Sequence, residues 1–345
     1  TGFRLFHRDR PLEVRLLGRG ELSKARQVVA PAVPAALPLG DRGPDFAHVA
    51  PEKRRAALAR WLTSSDCPLT ARVIVNRVWG WHFGQALVRT PSDFGAQGEP
   101  PTYPDLLDWL ARDLIAHGWS LKHLHRRILL SETYRMRSAA DGRGLRVDAD
   151  NRLLWHFPRR RLEGEAIRDA MLACAGSLNG KPFGPPVVPP LGKEELTGLF
   201  DARGKWPVTK DAAEHTRRSV YLLVRRTFVY PLFAAFDPPE LMTNCPGRPQ
   251  TVVPTQALTL LNGPVADRQS ASFARRLLRE CGDRPERAVA RAWLLAFGRP
   301  AARKEAERAL TFLRERSAAH GGKAEAALAE LCLALFNANE FVYVD

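Results

Sequence analysis

Two carboxylates and a guanidinium lie close together in a stretch rich in glycine and proline, residues 84–102. Asp93 and Glu99 could act as a general acid and a general base, and Arg89 could hold an anionic substrate. Loops held on a rigid scaffold often contain active sites. This arrangement would suit an enzyme that acts on an anionic polysaccharide.

The apolar segment before this loop contains polar side chains that need partners. Asn76 and Arg77 lie among large apolar residues, and His82 lies near the end of the segment. Burying an unpaired amide or guanidinium is costly. The structural interpretation is a polar network in which Asn76 binds loop carbonyls and Arg77 pairs with Asp93 or Glu99. In the functional interpretation, the three side chains and the loop arginine bind an anionic ligand.

A second irregular stretch, residues 228–254, contains another candidate pair. Asp237 is the third candidate catalytic carboxylate, and Arg248 is a candidate for anion binding. A strand is predicted beside them at 219–224, because this run is rich in β-branched and aromatic residues. The loop could form the rim of an active site, or Asp237 and Arg248 could brace it over the core.

Charged residues also follow one another at helical spacing around residue 165. Arg161, Glu165 and Asp169 would share one face of a helix, where Arg161 and Glu165 form an i,i+4 pair. This pattern is typical of an ion-pair ladder that faces solvent or another domain. An anion site for sulfate or uronate is the alternative.

Motifs for metal, nucleotide and haem chemistry are missing from the sequence. His123 and His125 are two residues apart and would point in different directions from a helix, unlike an HExxH pair. There is no Walker loop, GxGxxG, GxSxG, CxxC or CxxCH motif. Cys67 and Cys245 both lie in loops and could pair. The sequence therefore predicts no metal site and no cofactor within the chain.

The periodicity of apolar residues predicts a mainly α fold: a multi-helical core with a small β element and a C-terminal helical bundle. Ser120 is expected to cap a helix that continues through Leu130. Whether the parts form one domain or several stays open. They are an extended N-terminal arm (1–50), a helical core with its long loop (51–180), an irregular segment with the strand (181–254) and the bundle (255–345).

The composition indicates a folded, basic chain. Hydrophobic residues make up 45% of the 345 residues, and the formal net charge is +15. Such a charge attracts anionic glycans, nucleic acids, lipids and acidic proteins alike. No nucleic-acid-binding motif accompanies it, so nucleic acid is disfavoured as a partner. No apolar run approaches the roughly 20 residues of a membrane span.

Several motifs, in order along the chain, carry a resemblance to a known family. They are NRVWGWHFG (76–84) within 69–111, SETYRMRS (131–138), NRLLWHFPRRRLEGEAIRDAML (151–172), RRSVYLLVRR (217–226), FDPPE (236–240), TVVPTQALTLLN (251–262) and LFNANEFVYVD (335–345). With these motifs the chain resembles the planctomycete-specific "domain of unknown function 1553" family. The resemblance assigns no catalytic residue.

The resemblance implies a context rather than a reaction. Members of the family are usually exported, and they commonly carry an upstream companion domain and often a c-type cytochrome domain. An extracytoplasmic location is therefore expected, with haem c in a domain outside these residues. The chain opens with Thr1 instead of Met, so we expect it to be part of a longer protein. The predicted function is a binding or interaction module of that protein, and the alternative is the polysaccharide-active enzyme.

Overall fold

The computed structural model describes residues 13–34, 37, 45–46, 48–192, 195–196, 206–226 and 228–344. Within these residues the fold is mainly α, as predicted, and the predicted arm 1–50 lies partly outside them. The helices are α1 (Arg54–Leu62), α2 (Thr70–Phe83), α3 (Pro104–Ala116), α4 (Leu121–Leu129), α5 (Gly142–Val147), α6 (Gly164–Ala175), α7 (Pro231–Ala235), α8 (Pro254–Asn262), α9 (Pro264–Cys281), α10 (Pro285–Phe297), α11 (Arg303–Ala319), α12 (Ala324–Phe336) and α13 (Asn339–Val342).

The strands are short and form two antiparallel pairs. In the first, β1 (Arg15–Leu17) pairs with β2 (Ala25–Val28). In the second, β3 (Arg160–Arg161) pairs with β4 (Tyr343–Val344), so the end of the described chain lies beside the residues that precede α6. No helix of the described residues is both long and apolar enough to cross a membrane.

The chain divides into two compact units. The first comprises Thr1–Met136 and Arg143–Trp155, and the second comprises Arg137–Gly142 and His156–Asp345. Helix α6 therefore belongs to the second unit, where it packs against α7 and α9.

In the first unit, α2 packs against α3 and α4. Its inner face buries Val75, Val78 and Phe83, and the apolar stripe of α3 supplies Leu110 and Leu114 to the same core. The α2 segment is rich in large apolar residues, but not all of them are buried, since Trp81 is largely exposed. The helix is therefore covered on most sides rather than on all of them.

In the second unit, the long helix α9 packs against α6, α8, α10 and α12. Phe273 of α9 and Phe336 of α12 are fully buried, and their rings stack with centroids 5.9 Å apart. Helices α11 and α12 complete the bundle that the sequence predicted for the C-terminal third. Prolines at the first position of α8, α9 and α10 begin these helices, where a missing N–H costs nothing.

The strand predicted at 219–224 is not formed. Residues Ser219–Tyr221 form a 3-10 turn, and Leu222 then makes an isolated bridge with Val187. The reason is a local anchor: the backbone N–H and the hydroxyl of Ser219 both donate to Asp169 Oδ1 of α6, at 2.8 and 2.7 Å. The segment is thereby fixed to a helix and does not extend along a sheet.

Candidate functional site

The loop between α7 and α8, residues 236–251, is closed by the carboxylate of Asp237. Its oxygens accept hydrogen bonds from the backbone N–H of Thr251 (2.9 Å), from the Thr251 hydroxyl (2.8 Å) and from Arg161 Nη2 (2.7 Å). Asp237 has a φ of +51°, a left-handed conformation that Asp tolerates better than most residues. The two ends of the loop are therefore joined through one side chain.

Arg161 reaches this carboxylate from β3. Its side chain is only 5% exposed, and its guanidinium lies 5.1 Å from the centroid of the Phe236 ring. Pairing with β4 places Arg161 in the strand, before the start of α6. The predicted i,i+4 pair between Arg161 and Glu165 is therefore wrong, because the two residues do not share a helix.

Glu165 instead binds Arg248. Nη1 and Nη2 of Arg248 donate to its two oxygens, both at 2.7 Å, and Glu163 lies 3.3 Å from the same guanidinium. Burial raises the pKa of Glu165, but the hydrogen bonds and the charge of Arg248, together with a backbone hydrogen bond, lower that pKa overall. Asp237 and Arg248 both brace the loop, as the structural interpretation proposed, and each does so through a partner outside it.

Between these two anchors the loop opens a cavity of about 450 Å³. Its wall combines prolines with polar side chains that are exposed to solvent. Arg226, Glu240, Thr243 and Asn244 contribute the polar groups, and Pro238 and Pro239 contribute rigid apolar surface. A pocket of this kind can offer hydrogen bonds and the positive charge of Arg226 to a polar ligand. The carboxylate of Glu240 also lines it, and its Oε1 accepts from the N–H of Met242 (2.9 Å).

Asp237 is poorly suited to acid–base catalysis. Burial raises its pKa, but the hydrogen bonds from Thr251 and the guanidinium of Arg161 more than offset this, so its pKa lies below the ordinary value. An ionised carboxylate has no proton to donate at neutral pH. Its lone pairs are also occupied by three donors. The geometry thus assigns Asp237 to holding the loop.

In the first unit, Asn76 ties α2 to the loop 84–102. The side chain has no exposed surface, its Nδ2 donates to the carbonyl of Val88 (3.0 Å), and its Oδ1 accepts from the Val88 N–H (2.7 Å). This two-point contact matches the structural interpretation of Asn76. Both the NH2 group and the oxygen of the Asn76 amide are engaged by Val88, so this side chain has a structural role.

The two carboxylates of this loop have separate roles. Oδ1 of Asp93 accepts from the N–H of Gly95 (2.8 Å), which forms a tight turn, and Glu99 lies 3.5 Å from Arg152. The expected pairing with Arg77 is absent among the described residues, where Nε of Arg77 is buried without a hydrogen-bond partner. The arginine side chain is long and flexible, so its contacts do not follow from its position in the sequence.

The remaining candidates for anion binding are engaged with neighbours. Nη2 of Arg89 donates to Gln85 Oε1 (2.7 Å). His82 Nε2 lies 2.8 Å from His125 Nδ1, and Tyr134 packs edge-on against the His82 ring. The first-unit candidates therefore belong to local contacts around α2 and its loop.

Sequence reasoning missed two polar clusters. One is a buried network in the second unit, where Arg168 donates to the carbonyls of His215 (2.7 Å) and Arg217 (2.9 Å) and to the hydroxyl of Ser219 (3.1 Å). The other is a set of possible metal ligands in the first unit, Asp113, His117 and His123. The i,i+4 spacing of Asp113 and His117 was a visible signal for the second cluster.

The five cysteines are free thiols, so the pairing of Cys67 with Cys245 that the sequence left open is not formed. Cys67 Sγ lies 3.2 Å from the Thr70 hydroxyl, and Cys245 Sγ donates to the carbonyl of Gly247. Burial raises the pKa of Cys174 to about 11, which makes that thiol a poor nucleophile.

A comparison with known proteins places the chain in a family. The PSD1 family model, described as "Protein of unknown function (DUF1553)", matches residues 54–313. Because this match covers well over half of the chain, the protein belongs to the PSD1 (DUF1553) family, which confirms the resemblance. No curated protein and no solved structure matches the chain. The function must therefore be argued from the geometry of the chain itself.

Proposed function

We propose that the chain is a binding module of a larger protein and that the loop 236–251 forms its ligand-binding surface. This proposal rests on the observation that different residues of the loop fix its position and line its cavity. Asp237 and Arg248 hold it in place through Arg161 and Glu165, and a separate set of polar side chains lines the cavity of about 450 Å³. A braced loop with a polar cavity is preorganised for binding.

The ligand that best fits this cavity is an anionic glycan. Thr243 and Asn244 can exchange hydrogen bonds with sugar hydroxyls, and Arg226 can pair with a carboxylate or sulfate group through its planar guanidinium. The three side chains are exposed and accessible. The net charge of +15 adds a long-range attraction for the same ligands.

Binding without catalysis is favoured over a polysaccharide-active enzyme. Glycoside hydrolysis uses a pair of carboxylates, one of them protonated to act as an acid. The pKa of Asp237 is lowered on balance by its hydrogen bonds with Thr251 and Arg161, against the effect of burial. The carboxylate of Asp93 accepts a hydrogen bond from the N–H of Gly95 and stabilises a turn within its own loop.

The family context extends this proposal. We place the module in an exported polypeptide, together with the upstream companion domains that the resemblance implied, among them a c-type cytochrome domain. In that arrangement any haem belongs to the other domains, and this chain would bring the protein to an anionic glycan.

Isothermal titration with defined oligosaccharides tests the proposal. A uronic-acid and a sulfated oligosaccharide should bind, whereas a neutral oligosaccharide of equal length should bind at least about tenfold more weakly. Arg226→Gln removes the charge that faces the cavity and should reduce affinity about tenfold, the effect of one charge-assisted hydrogen bond. Asn244→Ala should give a smaller loss.

The matched control is Arg303→Gln, which removes one positive charge from an exposed position on α11. It should leave the affinity for the oligosaccharide unchanged, because Arg303 does not line the cavity and changes only the net charge of the protein. Equal losses for both arginine variants would overturn the site. Preference for nucleic acid or an acidic peptide, or the absence of glycan binding near physiological salt, would overturn the ligand class. Hydrolysis of the glycan would overturn the non-catalytic function.

A further inference from the structure

Two histidines and one carboxylate converge where α3 meets α4. Asp113 lies in the last turn of α3, His117 follows that helix, and His123 lies in the first turn of α4. One ligand atom from each residue falls within 4.8 Å of the other two. The Asp113 side chain is only 9% exposed, so this carboxylate is not an ordinary surface group.

A tight reversal of the chain brings these residues together. Gly118 and Trp119 both have positive φ values, of 63° and 61°, and the N–H of Trp119 donates to the carbonyl of Leu114 at 2.8 Å. The hydroxyl of Ser120 then accepts from the N–H of His123 and caps α4, as the sequence predicted. A non-glycine residue in this conformation costs on the order of 1 kcal/mol and persists because its surroundings fix it.

Both imidazoles direct a ring nitrogen at the same carboxylate. Nε2 of His123 lies 2.8 Å from Asp113 Oδ2. Nδ1 of His117 lies 3.2 Å from Asp113 Oδ1 and 2.9 Å from the backbone carbonyl of Asp113. The two rings stack with centroids 3.7 Å apart and planes 12° apart. A bare nitrogen lone pair repels a carboxylate oxygen at these distances. Each nitrogen therefore either carries a hydrogen that it donates to the oxygen, or shares one metal ion with the carboxylate.

We propose that Asp113, His117 and His123 bind one divalent transition-metal ion, with Zn²⁺ as the best match. Two imidazoles and one carboxylate are typical zinc ligands, whereas Mg²⁺ and Ca²⁺ prefer oxygen alone. Bonds of about 2.0–2.1 Å in tetrahedral geometry place ligand atoms about 3.3 Å apart. The separations of 2.8 and 3.2 Å are close to that value. Because a metal ion lies in the plane of each imidazole that binds it, the two stacked rings must also turn relative to each other, and the exposed His117 has room to do so.

Three protein ligands leave a fourth position for solvent or a ligand group. His117 is the most exposed of the three, with 46% of its side chain accessible, so that position faces water. This is the ligand number of zinc sites that bind exchangeable groups rather than of closed structural sites. The site does not depend on the proposed glycan-binding loop, which lies in the other unit.

Arg127 is the competing cation. Its Nη2 lies 3.8 Å from Asp113 Oδ1, its Nε lies 3.4 Å from His123 Nε2, and its guanidinium lies 5.8 Å from the centroid of the Trp109 ring. A metal ion on the carboxylate would repel this guanidinium. Half of the Arg127 side chain is exposed, so it can move toward solvent when the ion binds. Removing its charge should therefore strengthen metal binding.

Isothermal titration of the intact chain, purified without a histidine tag and stripped with a chelator, tests the site. Zn²⁺ should bind with a stoichiometry of one, and Co²⁺ should show the intense visible absorption of a tetrahedral site. Asp113→Asn and His123→Gln should each weaken Zn²⁺ binding at least about 100-fold, because even outer-shell partners contribute about 10- to 100-fold. Arg127→Gln should strengthen it at least about fivefold.

The matched control is His320→Gln. His320 also lies near a carboxylate, 2.9 Å from Glu330 Oε1, without a second histidine, so its loss should leave the stoichiometry and affinity unchanged. Circular dichroism of each variant shows whether it is folded. Absence of Zn²⁺ binding by the wild-type chain, or equal affinity in folded Asp113→Asn, would mean that protons alone join these groups and would overturn the proposal.

Discussion

At Asp237, one carboxylate determines whether the loop 236–251 stays closed. Its partner Arg161 is almost fully buried, so losing the anion would leave a buried guanidinium without charge compensation. Breaking a buried ion pair by removing one partner costs about 3 kcal/mol. The loop, and with it the candidate binding cavity, depends on this contact.

We expect Asp237→Asn to lower the free energy of unfolding by about 3 kcal/mol at neutral pH. The pH dependence should change as well. Burial raises the pKa of Asp237, but hydrogen bonds from Thr251 and Arg161 lower it below the unfolded value of about 3.9. A lowered folded-state pKa stabilises the protein above the unfolded value, and this stabilisation is lost as pH falls through the folded-state pKa.

Urea unfolding between about pH 7 and about pH 3 measures this effect. Below about pH 4 the wild type should lose stability more steeply than Asp237→Asn. The exposed Asp150→Asn serves as the control and should follow the wild-type curve. Parallel curves for the wild type and Asp237→Asn would show that the carboxylate adds no stability.

At this scale, sequence reasoning succeeded where local chemistry fixes the outcome. An amide inside an apolar helix must find backbone partners, and Asn76 does so at Val88. Sequence reasoning failed where a long side chain can pair with residues that are distant in the chain. Arg161 binds Asp237 instead of Glu165, and no spacing rule connects residues so far apart in the chain.

Among the elements, α6 has a second role as the anchor of an irregular segment. Arg168 is almost fully buried on this helix and binds two carbonyls and one hydroxyl of the stretch 215–219. Asp169 binds Ser219 beside it. The regular structure around this segment is limited to two short 3-10 turns, Ala212–Thr216 and Ser219–Tyr221, so these contacts fix its position against the helix.

We expect Arg168→Met to destabilise the second unit by about 3 kcal/mol, because it leaves buried carbonyls without donors. Hydrogen exchange should become faster at residues 215–222, where the anchor is lost, and should stay slower in the core of α12. Arg303→Met is the control, since its ion pair with Glu307 is exposed and contributes about 0.5 kcal/mol or less. Uniform exchange changes across the unit would contradict a local anchor.

The elements also show which patterns identify structure. Helices α2, α9 and α12 were predictable from apolar periodicity, and prolines and glycines set many of their ends. The run 219–224 has strand-like composition, but its pairing is limited to one bridge between Leu222 and Val187 in the described part of the chain, and Ser219 is held by α6. Propensity for a strand is a preference for a half-buried pleated surface, which this site does not offer.

For the whole molecule, the sequence predicted the class of fold and left open whether its parts form one domain or several. The compact units separate near residues 136 and 156. The contacts of α6 with α9 join residues far apart in the chain, and the positions of prolines and glycines do not predict such contacts. Such boundaries depend on which apolar faces meet.

This division predicts two unfolding transitions in differential scanning calorimetry, because compact units with separate cores often unfold separately. Asn76→Ala removes both hydrogen bonds to Val88 and should lower the first-unit transition by about 5–10 °C, the effect of about 2–3 kcal/mol. Arg168→Met should lower the other transition by a similar amount.

Each variant is the control for the other, and the double variant should show both shifts with no additional change, as expected for independent sites. The transitions are assigned by these shifts rather than by their order on the temperature axis. A single transition that both substitutions lower equally would show one cooperative structure. In that case the loss of a loop tie in one unit would also unfold the anchor in the other, and the two polar networks would share a single stability.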